Sequence, residues 1–145
     1  MRDEEKITGS YEETIEYGKA IGKSLKGHEV LVLKGPLASG KTVLTKGIAL
    51  GLGIKETITS PSFTLMNIYE GSSLNLCHCD FYRIESVEDF WDLGIEEYIN
   101  EKTVVVMEWG DMFISELAIP FTIIDLEVLE GSSRWIRLSQ APLHE

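Results

Sequence analysis

The chain has 145 residues, a hydrophobic fraction of 43% and a formal net charge of −11. This length and composition predict one globular domain over residues 1–145, and no apolar run approaches the roughly 20 residues of a membrane span. The acidic charge either only keeps the chain in solution or, since it repels phosphate backbones, leaves contact with nucleic acid to a partner protein. The polar start carries no secretory pattern, so the expected compartment is the cytoplasm.

The first predicted elements are a helix, a strand and a second helix. Ser10 and Glu13 match a capping box, which predicts a helix over residues 10–26. The apolar run at residues 30–33 is typical of a strand that is buried on both faces. A glycine-rich loop follows this strand, and a second helix is predicted over residues 41–52.

The rest of the chain mixes parallel crossovers with hairpins. Its predicted elements are a strand over 63–69, an antiparallel partner over 74–81, a helix over 86–94, a short helical piece to 99, a strand over 103–107 and a terminal hairpin of 121–129 and 134–138. This order predicts the α/β class. The expected architecture is P-loop NTPase-like, with a mixed central β-sheet flanked by helices and a C-terminal β-hairpin.

The glycine-rich loop fits the phosphate-binding pattern G-x-x-x-x-G-K-S/T. A buried strand delivers the loop, and the next helix directs its positive N-terminus at a bound anion. Lys41 can reach the β- and γ-phosphates in a catalytic role, and the Thr42 hydroxyl can coordinate Mg²⁺. The residues expected to contact the nucleotide are Gly35, Pro36, Leu37, Ala38, Ser39, Gly40, Lys41, Thr42 and Val43.

A second candidate Mg²⁺ ligand stands at the end of another buried strand. Glu108 directly follows the apolar run at residues 103–107, the arrangement that magnesium-dependent P-loop sites use for their acidic residue. Ligands in open α/β sheets bind at the carboxyl ends of strands, where both Gly35 and Glu108 are expected. The alternative is a solvated acid at a strand end.

Polar side chains alternate with apolar ones along the strand predicted at residues 74–81. A period of two places His78, Asp80 and Tyr82 on one face. Asp80 either positions or deprotonates a water that attacks the γ-phosphate, or belongs to a buried hydrogen-bonded cluster. The residues alone leave these two interpretations open.

Two further segments have competing interpretations. Cys77 and Cys79 flank a histidine, which could indicate zinc, but no second ligand cluster exists and packed, reduced thiols are expected. The segment Ser-Pro-Ser-Phe-Thr at residues 60–64 is either a switch that senses the γ-phosphate or a turn that starts a strand.

Taken together, the motifs resemble the TsaE (YjeE) family, the ATPase of the bacterial machinery that makes threonylcarbamoyladenosine in tRNA. The motifs that carry the resemblance over residues 8–140 are the phosphate loop, Ser-Pro-Ser-Phe-Thr-Leu at 60–65, His-Cys-Asp-Phe-Tyr-Arg at 78–83, Asp-Leu-Gly-Ile-Glu-Glu-Tyr at 92–98 and Glu-Trp at 108–109.

The resemblance implies an activity, partners and site residues. ATP is the expected substrate, and Thr42 and Glu108 are the expected Mg²⁺ ligands. Asp80 would assist hydrolysis, residues 60–64 would act as a switch, and Arg134 is expected to contact the nucleotide. TsaB- and TsaD-like proteins are the expected partners, and tRNA is reached only through that complex. TsaD would carry the transferase chemistry, with ATP hydrolysis resetting the complex.

The chain departs from the family at the phosphate loop. Family members usually read G-D-L-G-A-G-K-T, whereas Pro36 here removes a backbone donor and Ala38 replaces a glycine. These changes leave open a second function, a nucleotide-responsive binding module with little hydrolysis. A small P-loop kinase is a third candidate, but such kinases need basic side chains for the charge of the second substrate, and Arg83 is the only arginine between Thr42 and Thr103.

Overall fold

The structure is a computed structural model that describes residues 3–36, 38–61, 64–109, 113, 115 and 119–141. Its elements are β1 Glu4–Thr8, α1 Tyr11–Ser24, β2 Val30–Lys34, α2 Lys41–Gly51, β3 Met66–Tyr69, β4 Asn75–Asp80, α3 Val87–Asp92, a 3₁₀ helix Ile95–Tyr98, β5 Thr103–Glu108, β6 Phe121–Val128 and β7 Arg134–Ala141. No helix within these described residues is both long and apolar enough to cross a bilayer.

The described strands form one sheet in the order β1-β7-β6-β2-β5-β4-β3. The four central strands β6, β2, β5 and β4 run parallel, and the outer strands pair with antiparallel neighbours. Helices α1 and α2 pack on one face, while α3 and the 3₁₀ helix pack on the other. The predicted mixed sheet, its flanking helices and the C-terminal hairpin of β6 and β7 are confirmed.

The main helix and strand predictions hold, with shifted boundaries. Helix α1 is capped as predicted, because the Ser10 hydroxyl accepts a hydrogen bond from the Glu13 backbone N–H at 3.1 Å. It ends at Ser24 rather than at residue 26. Strand β3 starts at residue 66 instead of 63, because Leu65 has a φ of 66° and cannot continue a strand. Phe63, the predicted start, lies outside the described residues.

Strand β1 is the element that the sequence did not predict. Its sequence, Glu-Glu-Lys-Ile-Thr, shows no alternation of apolar and polar residues, and four of its five residues are exposed. The strand exists because it pairs antiparallel with β7, with Glu4 opposite Leu138 and Thr8 opposite Arg134. This long-range pairing places the start of α1 beside the start of β7.

Glycines allow α1 and α2 to pack in direct backbone contact. A Cβ on Gly47 would lie 2.2 Å from the Ile15 carbonyl oxygen and 2.9 Å from the Gly18 Cα. A Cβ on Gly18 would lie 2.5 Å from the Leu44 carbonyl oxygen. Because α2 begins immediately after the phosphate loop, this contact fixes the direction from which the helix N-terminus approaches the site.

We expect Gly47→Ala to lower the free energy of unfolding by about 1–3 kcal/mol, because the new methyl group overlaps backbone atoms that cannot move independently. Helix propensity alone predicts the opposite sign, a gain of about 1 kcal/mol. Urea denaturation measures the difference, and the exposed Lys46→Ala on the same helix is the control. A stabilised Gly47→Ala protein would contradict the close contact.

Candidate functional site

A cavity of about 510 Å³ opens at the carboxyl ends of the parallel strands. The phosphate loop, the ends of β4 and β5, the start of α1 and the start of β7 form its walls. The lining residues are Tyr11, Ala38, Ser39, Gly40, Lys41, Thr42, Val43, Ser60, Asp80, Tyr82, Arg83, Glu108, Trp109 and Arg134. Most of the predicted site residues are therefore brought to one cavity.

Two of the predicted loop residues line another cavity, and a third is not described. Gly35 and Pro36 line an adjoining cavity of about 260 Å³, together with Lys41 and Trp109. Leu37 lies outside the described residues.

The phosphate loop turns tightly between β2 and α2. The Ser39 N–H donates to the Pro36 carbonyl at 3.2 Å, and Gly40, with a φ of 102°, caps the helix in the left-handed region. Gly40 is the residue type that this conformation favours. Ala38 also lies in the left-handed region, with a φ of 61°. The glycine that the family usually carries there is thus replaced by a residue that is strained in this conformation.

Relief of this strain gives a prediction for Ala38→Gly. We expect the free energy of unfolding to rise by about 0.5–1 kcal/mol, because glycine adopts a positive φ without the clash of a Cβ. Thermal unfolding measures the change. The control is Ala20→Gly at an exposed helical position of α1, which should instead lose about 1 kcal/mol. Equal losses in both variants would show that Ala38 is not strained.

Lys41 contacts the loop backbone and the Trp109 ring at the mouth of the loop. Its Nζ donates to the Gly35 carbonyl oxygen at 2.8 Å and lies 3.7 Å from the centroid of the Trp109 ring. A cation at this distance over an indole is attracted by the negative face of the ring. Trp109 itself has a φ of 60°, a conformation that a bulky residue adopts only at a cost. A phosphate that engages Lys41 therefore competes with two existing contacts.

Glu108 and Asp80 bring two carboxylates to the cavity from adjacent strands. They lie directly opposite each other in the β4–β5 register, and both are almost fully buried. Glu108 Oε2 lies 2.6 Å from His78 Nε2, and Asp80 Oδ1 accepts the Tyr82 backbone N–H at 3.0 Å. Each carboxyl group is thus held by a specific neighbour, as a buried polar group requires.

The residues around Thr42 and Glu108 fit a magnesium ion bound together with a phosphate. Both side chains line the same cavity and offer oxygen ligands, which Mg²⁺ prefers. Among the described residues, no group of three or more histidine, cysteine, aspartate or glutamate side chains could hold a metal alone. Mg²⁺ commonly takes only one or two protein ligands and completes its shell with phosphate oxygens and water.

The predicted polar face of β4 is only partly correct. His78 and Asp80 share a face, but the strand ends at Asp80 and Tyr82 follows it in a turn, with 64% of its surface exposed. The Tyr82 ring lies 5.1 Å from the Trp109 ring, measured between centroids. Tyr82 therefore forms part of the cavity rim together with Trp109.

The two cysteines are buried and reduced, as expected. Cys77 Sγ and Cys79 Sγ lie 3.6 Å apart on the face of β4 opposite His78. Burial, with a smaller contribution from the hydrogen bond to Cys77, raises the pKa of the Cys79 thiol well above its usual range. The Cys79 thiol is therefore protonated at neutral pH, and both cysteines pack as small buried side chains in the core beside β4.

Arg134 ties the C-terminal hairpin to the phosphate loop. Its Nε donates to the Ser39 carbonyl oxygen at 2.8 Å, and its Nη2 donates to that of Ala38 at 3.4 Å. Its Nη1 bonds two carbonyl oxygens of its own hairpin, those of Gly131 and Ser133. Arg134 lines the cavity and also holds the strained part of the loop in place, while its expected contact with the nucleotide stays a prediction.

The proposed switch segment is described only in part. Ser60 lines the cavity, and the Leu65 N–H donates to the Pro61 carbonyl oxygen at 2.8 Å. The Leu65 carbonyl oxygen in turn accepts the Asp80 N–H at 2.9 Å. Ser62 and Phe63 lie outside the described residues, so the switch interpretation stays a prediction.

Sequence reasoning did not assign Tyr11 or Arg83 to the site, and it did not find the pairing of His78 with Glu108. The Tyr11 ring lies 5.9 Å from the Arg134 guanidinium carbon. No local pattern marks Tyr11, because its place at the cavity depends on the long-range pairing of β1 with β7 and on the packing of α1 against α2. For His78, its position on one face with Asp80 was the available signal.

Comparison with known proteins connects this site to one family. A sequence model described as "Threonylcarbamoyl adenosine biosynthesis protein TsaE" matches residues 8–136. The tRNA threonylcarbamoyladenosine biosynthesis protein TsaE of Treponema pallidum is 44% identical over 133 residues, 92% of this chain and 98% of the relative. The protein of the same name from Rickettsia felis is 33% identical, over 88% of this chain and 75% of the relative.

A solved structure has the same fold. The crystal structure of Bacillus subtilis YdiB superposes with a TM-score of 0.80 at 30% sequence identity. The match covers 97% of this chain and 86% of YdiB.

Proposed function

The chain belongs to the TsaE family of threonylcarbamoyl adenosine biosynthesis proteins, and from that membership we propose that it binds ATP with Mg²⁺ and hydrolyses the nucleotide to drive or reset the complex that makes threonylcarbamoyladenosine in tRNA. The relatives that match most of its length are named for the same modification. The ATPase activity, the metal and the partners belong to the proposal.

The observation that carries the proposal is the charge arrangement of the cavity. The chain has a net charge of −11, yet its cavity is lined by the cations Lys41, Arg83 and Arg134 and by the carboxylates Asp80 and Glu108. Cations beside a helix N-terminus favour the phosphates of a nucleotide. Carboxylates at the same cavity supply what phosphoryl transfer to water requires, a metal ligand and a group that orients the water.

Each residue would contribute one part of the reaction. Backbone N–H groups at the start of α2 and the Lys41 ammonium would bind the phosphates, and Thr42 and Glu108 would hold the metal. Bound Mg²⁺ would neutralise charge on the phosphoryl group during transfer. Asp80 would accept a hydrogen bond from the attacking water, and so place its oxygen in line with the γ-phosphorus.

We propose that the work on tRNA is shared with TsaB- and TsaD-like proteins in the cytoplasm. An acidic chain repels the tRNA backbone, so partner proteins would hold the tRNA and the transferase chemistry. The test is reconstitution of the ATPase rate with the purified partners and tRNA. We expect ATP hydrolysis to rise on assembly and partner retention to depend on nucleotide. No retention of TsaB- or TsaD-like proteins in the presence of ATP would contradict this part.

A binding module with little turnover is the second candidate, and the contacts of Lys41 favour it. An ammonium that already bonds the Gly35 carbonyl and lies over Trp109 must leave both before it serves a phosphate. Hydrolysis at background rate in the assembled complex, equal for wild type and an Asp80 variant, would support the module. Phosphoryl transfer to a nucleoside or sugar acceptor would instead indicate a kinase.

A further inference from the structure

His78 is a buried histidine whose polar contact goes to the candidate metal ligand. The residue has no exposed surface, and its Nε2 lies 2.6 Å from Glu108 Oε2. An ionised carboxylate only accepts hydrogen bonds, so the tautomer of His78 that carries its proton on Nε2 is the one that donates to a metal-ligating Glu108. The proposed hydrolysis assigns no role to the His78 side chain.

The sheet register explains why the pair forms. His78 lies opposite Val106 in the parallel β4–β5 pairing, so its side chain is on the same face as Val106 and Glu108, one pleat before the end of β5. The Glu108 carboxylate bonds this histidine across the strands, while Asp80 occupies the position directly opposite Glu108. His78 thus holds Glu108 from inside the sheet, away from the cavity mouth.

The second ring nitrogen of His78, Nδ1, makes no contact among the described residues that would explain a histidine at this position. His78 Nδ1 is buried and has no hydrogen-bond partner within the part of the chain that the structure describes. Buried polar atoms are normally paired, and a histidine retained only for packing would satisfy both nitrogens or be replaced by an apolar residue. The polar chemistry of His78 is directed at Glu108.

We propose that His78 is a positioning residue that fixes the Glu108 carboxylate for a divalent cation bound with nucleotide phosphates. The inference rests on the proposed function, since it takes Thr42 and Glu108 as the Mg²⁺ ligands. Hydrogen bonds to ligating side chains orient the ligand, and their loss commonly weakens metal affinity about 10–100-fold. Because His78 holds one oxygen of the Glu108 carboxylate, the carboxylate keeps a single orientation toward the cavity.

The test compares amides that do and do not reach the position of Nε2. The side-chain nitrogen of Gln can occupy the place of His78 Nε2, whereas that of Asn falls at the place of Nδ1. The readout is the Mg²⁺ affinity of the ADP-bound protein, followed by Trp109 fluorescence and calorimetry. We expect a loss of about 10-fold or more in His78→Asn and near wild-type affinity in His78→Gln. Binding of ADP without Mg²⁺ should stay within about twofold in both.

Controls separate this proposal from the one on which it rests. His28→Asn changes an exposed histidine that precedes β2, at the opposite end of the strand from the phosphate loop, and should leave Mg²⁺ affinity unchanged. An Mg²⁺ response that is lost in Glu108→Gln but intact in His78→Asn would overturn the positioning role alone. An Mg²⁺ response that is absent from the wild type would overturn the metal site and the positioning role together.

A measurement on the wild-type protein tests the proposal even where His78→Asn does not fold. The Nε2–H proton of His78 should give a protected NMR signal that shifts when Mg²⁺ is added to the ADP complex, because the ion competes for electron density of the same carboxylate. A signal unchanged at saturating Mg²⁺ would overturn the proposal.

Discussion

Lys41→Ala is expected to weaken ATP binding by about 100-fold, because a hydrogen bond to a charged group contributes about 1.5–3 kcal/mol. Arg83 and Arg134 also line the cavity and keep some positive charge there, so binding is weakened rather than abolished. In the structure, this ammonium bonds the Gly35 carbonyl and lies over Trp109, and a bound phosphate must outcompete both contacts. Isothermal calorimetry with ATP and Mg²⁺ measures the loss.

The matched control for this variant is Lys46→Ala, an exposed lysine on the same helix. It removes the same charge at a distance from the cavity and should change affinity less than about twofold, as exposed charges in salt solution do. Trp109 fluorescence should also respond to ATP in the wild type, because the cation leaves its ring. Wild-type ATP affinity in Lys41→Ala would refute the phosphate-binding role of the loop.

The local parts of the site could be predicted from the sequence. A buried apolar run before residue 35 and a helix that starts at Lys41 fix the strand–loop–helix unit, because each is encoded by neighbouring residues. The capping box at Ser10 set the start of α1 for the same reason. Glu108 was found because its strand is continuously apolar and parallel strands end at one edge.

The parts that escaped prediction depend on contacts between distant segments. His78 and Glu108 are 30 residues apart, and Arg134 is 95 residues from the Ser39 carbonyl that it bonds. No sequence period encodes such a pair. The φ of Leu65 is likewise imposed by tertiary packing, since a leucine shows no local preference for the left-handed region. Sequence patterns therefore predicted the candidate metal ligands and the phosphate loop, but not the side chains that hold them in position.

Arg134 supports the part of the phosphate loop whose sequence departs from the family pattern. Ala38 is strained at a position where the family usually carries glycine, and Arg134 donates to the carbonyls of Ala38 and Ser39. Charge-assisted hydrogen bonds can offset a cost of about 1–2 kcal/mol for a left-handed residue. The hairpin thereby keeps the cradle in a conformation that its own sequence does not favour.

Asp80→Asn is expected to lower the rate of ATP hydrolysis by about 100–1000-fold in the assembled complex, because a positioned acid–base group contributes about 10²–10⁴-fold. Asn keeps the oxygen that accepts the Tyr82 N–H, so the turn after β4 should remain intact. The proposed nucleotide contacts lie in the loop, and ATP affinity should therefore stay within about threefold of the wild type. Single-turnover hydrolysis with saturating ATP separates the two quantities.

The control for this experiment is Asp92→Asn, which makes the same change at an exposed aspartate in α3. A rate loss confined to Asp80 assigns the effect to the cavity, whereas an equal loss in both variants would indicate a general effect of charge. Asp80 lies opposite Glu108 in the sheet, so its removal also reduces negative charge beside the proposed metal. Faster hydrolysis in Asp80→Asn would show that this repulsion outweighs any positioning of water, and would remove Asp80 from the catalytic role.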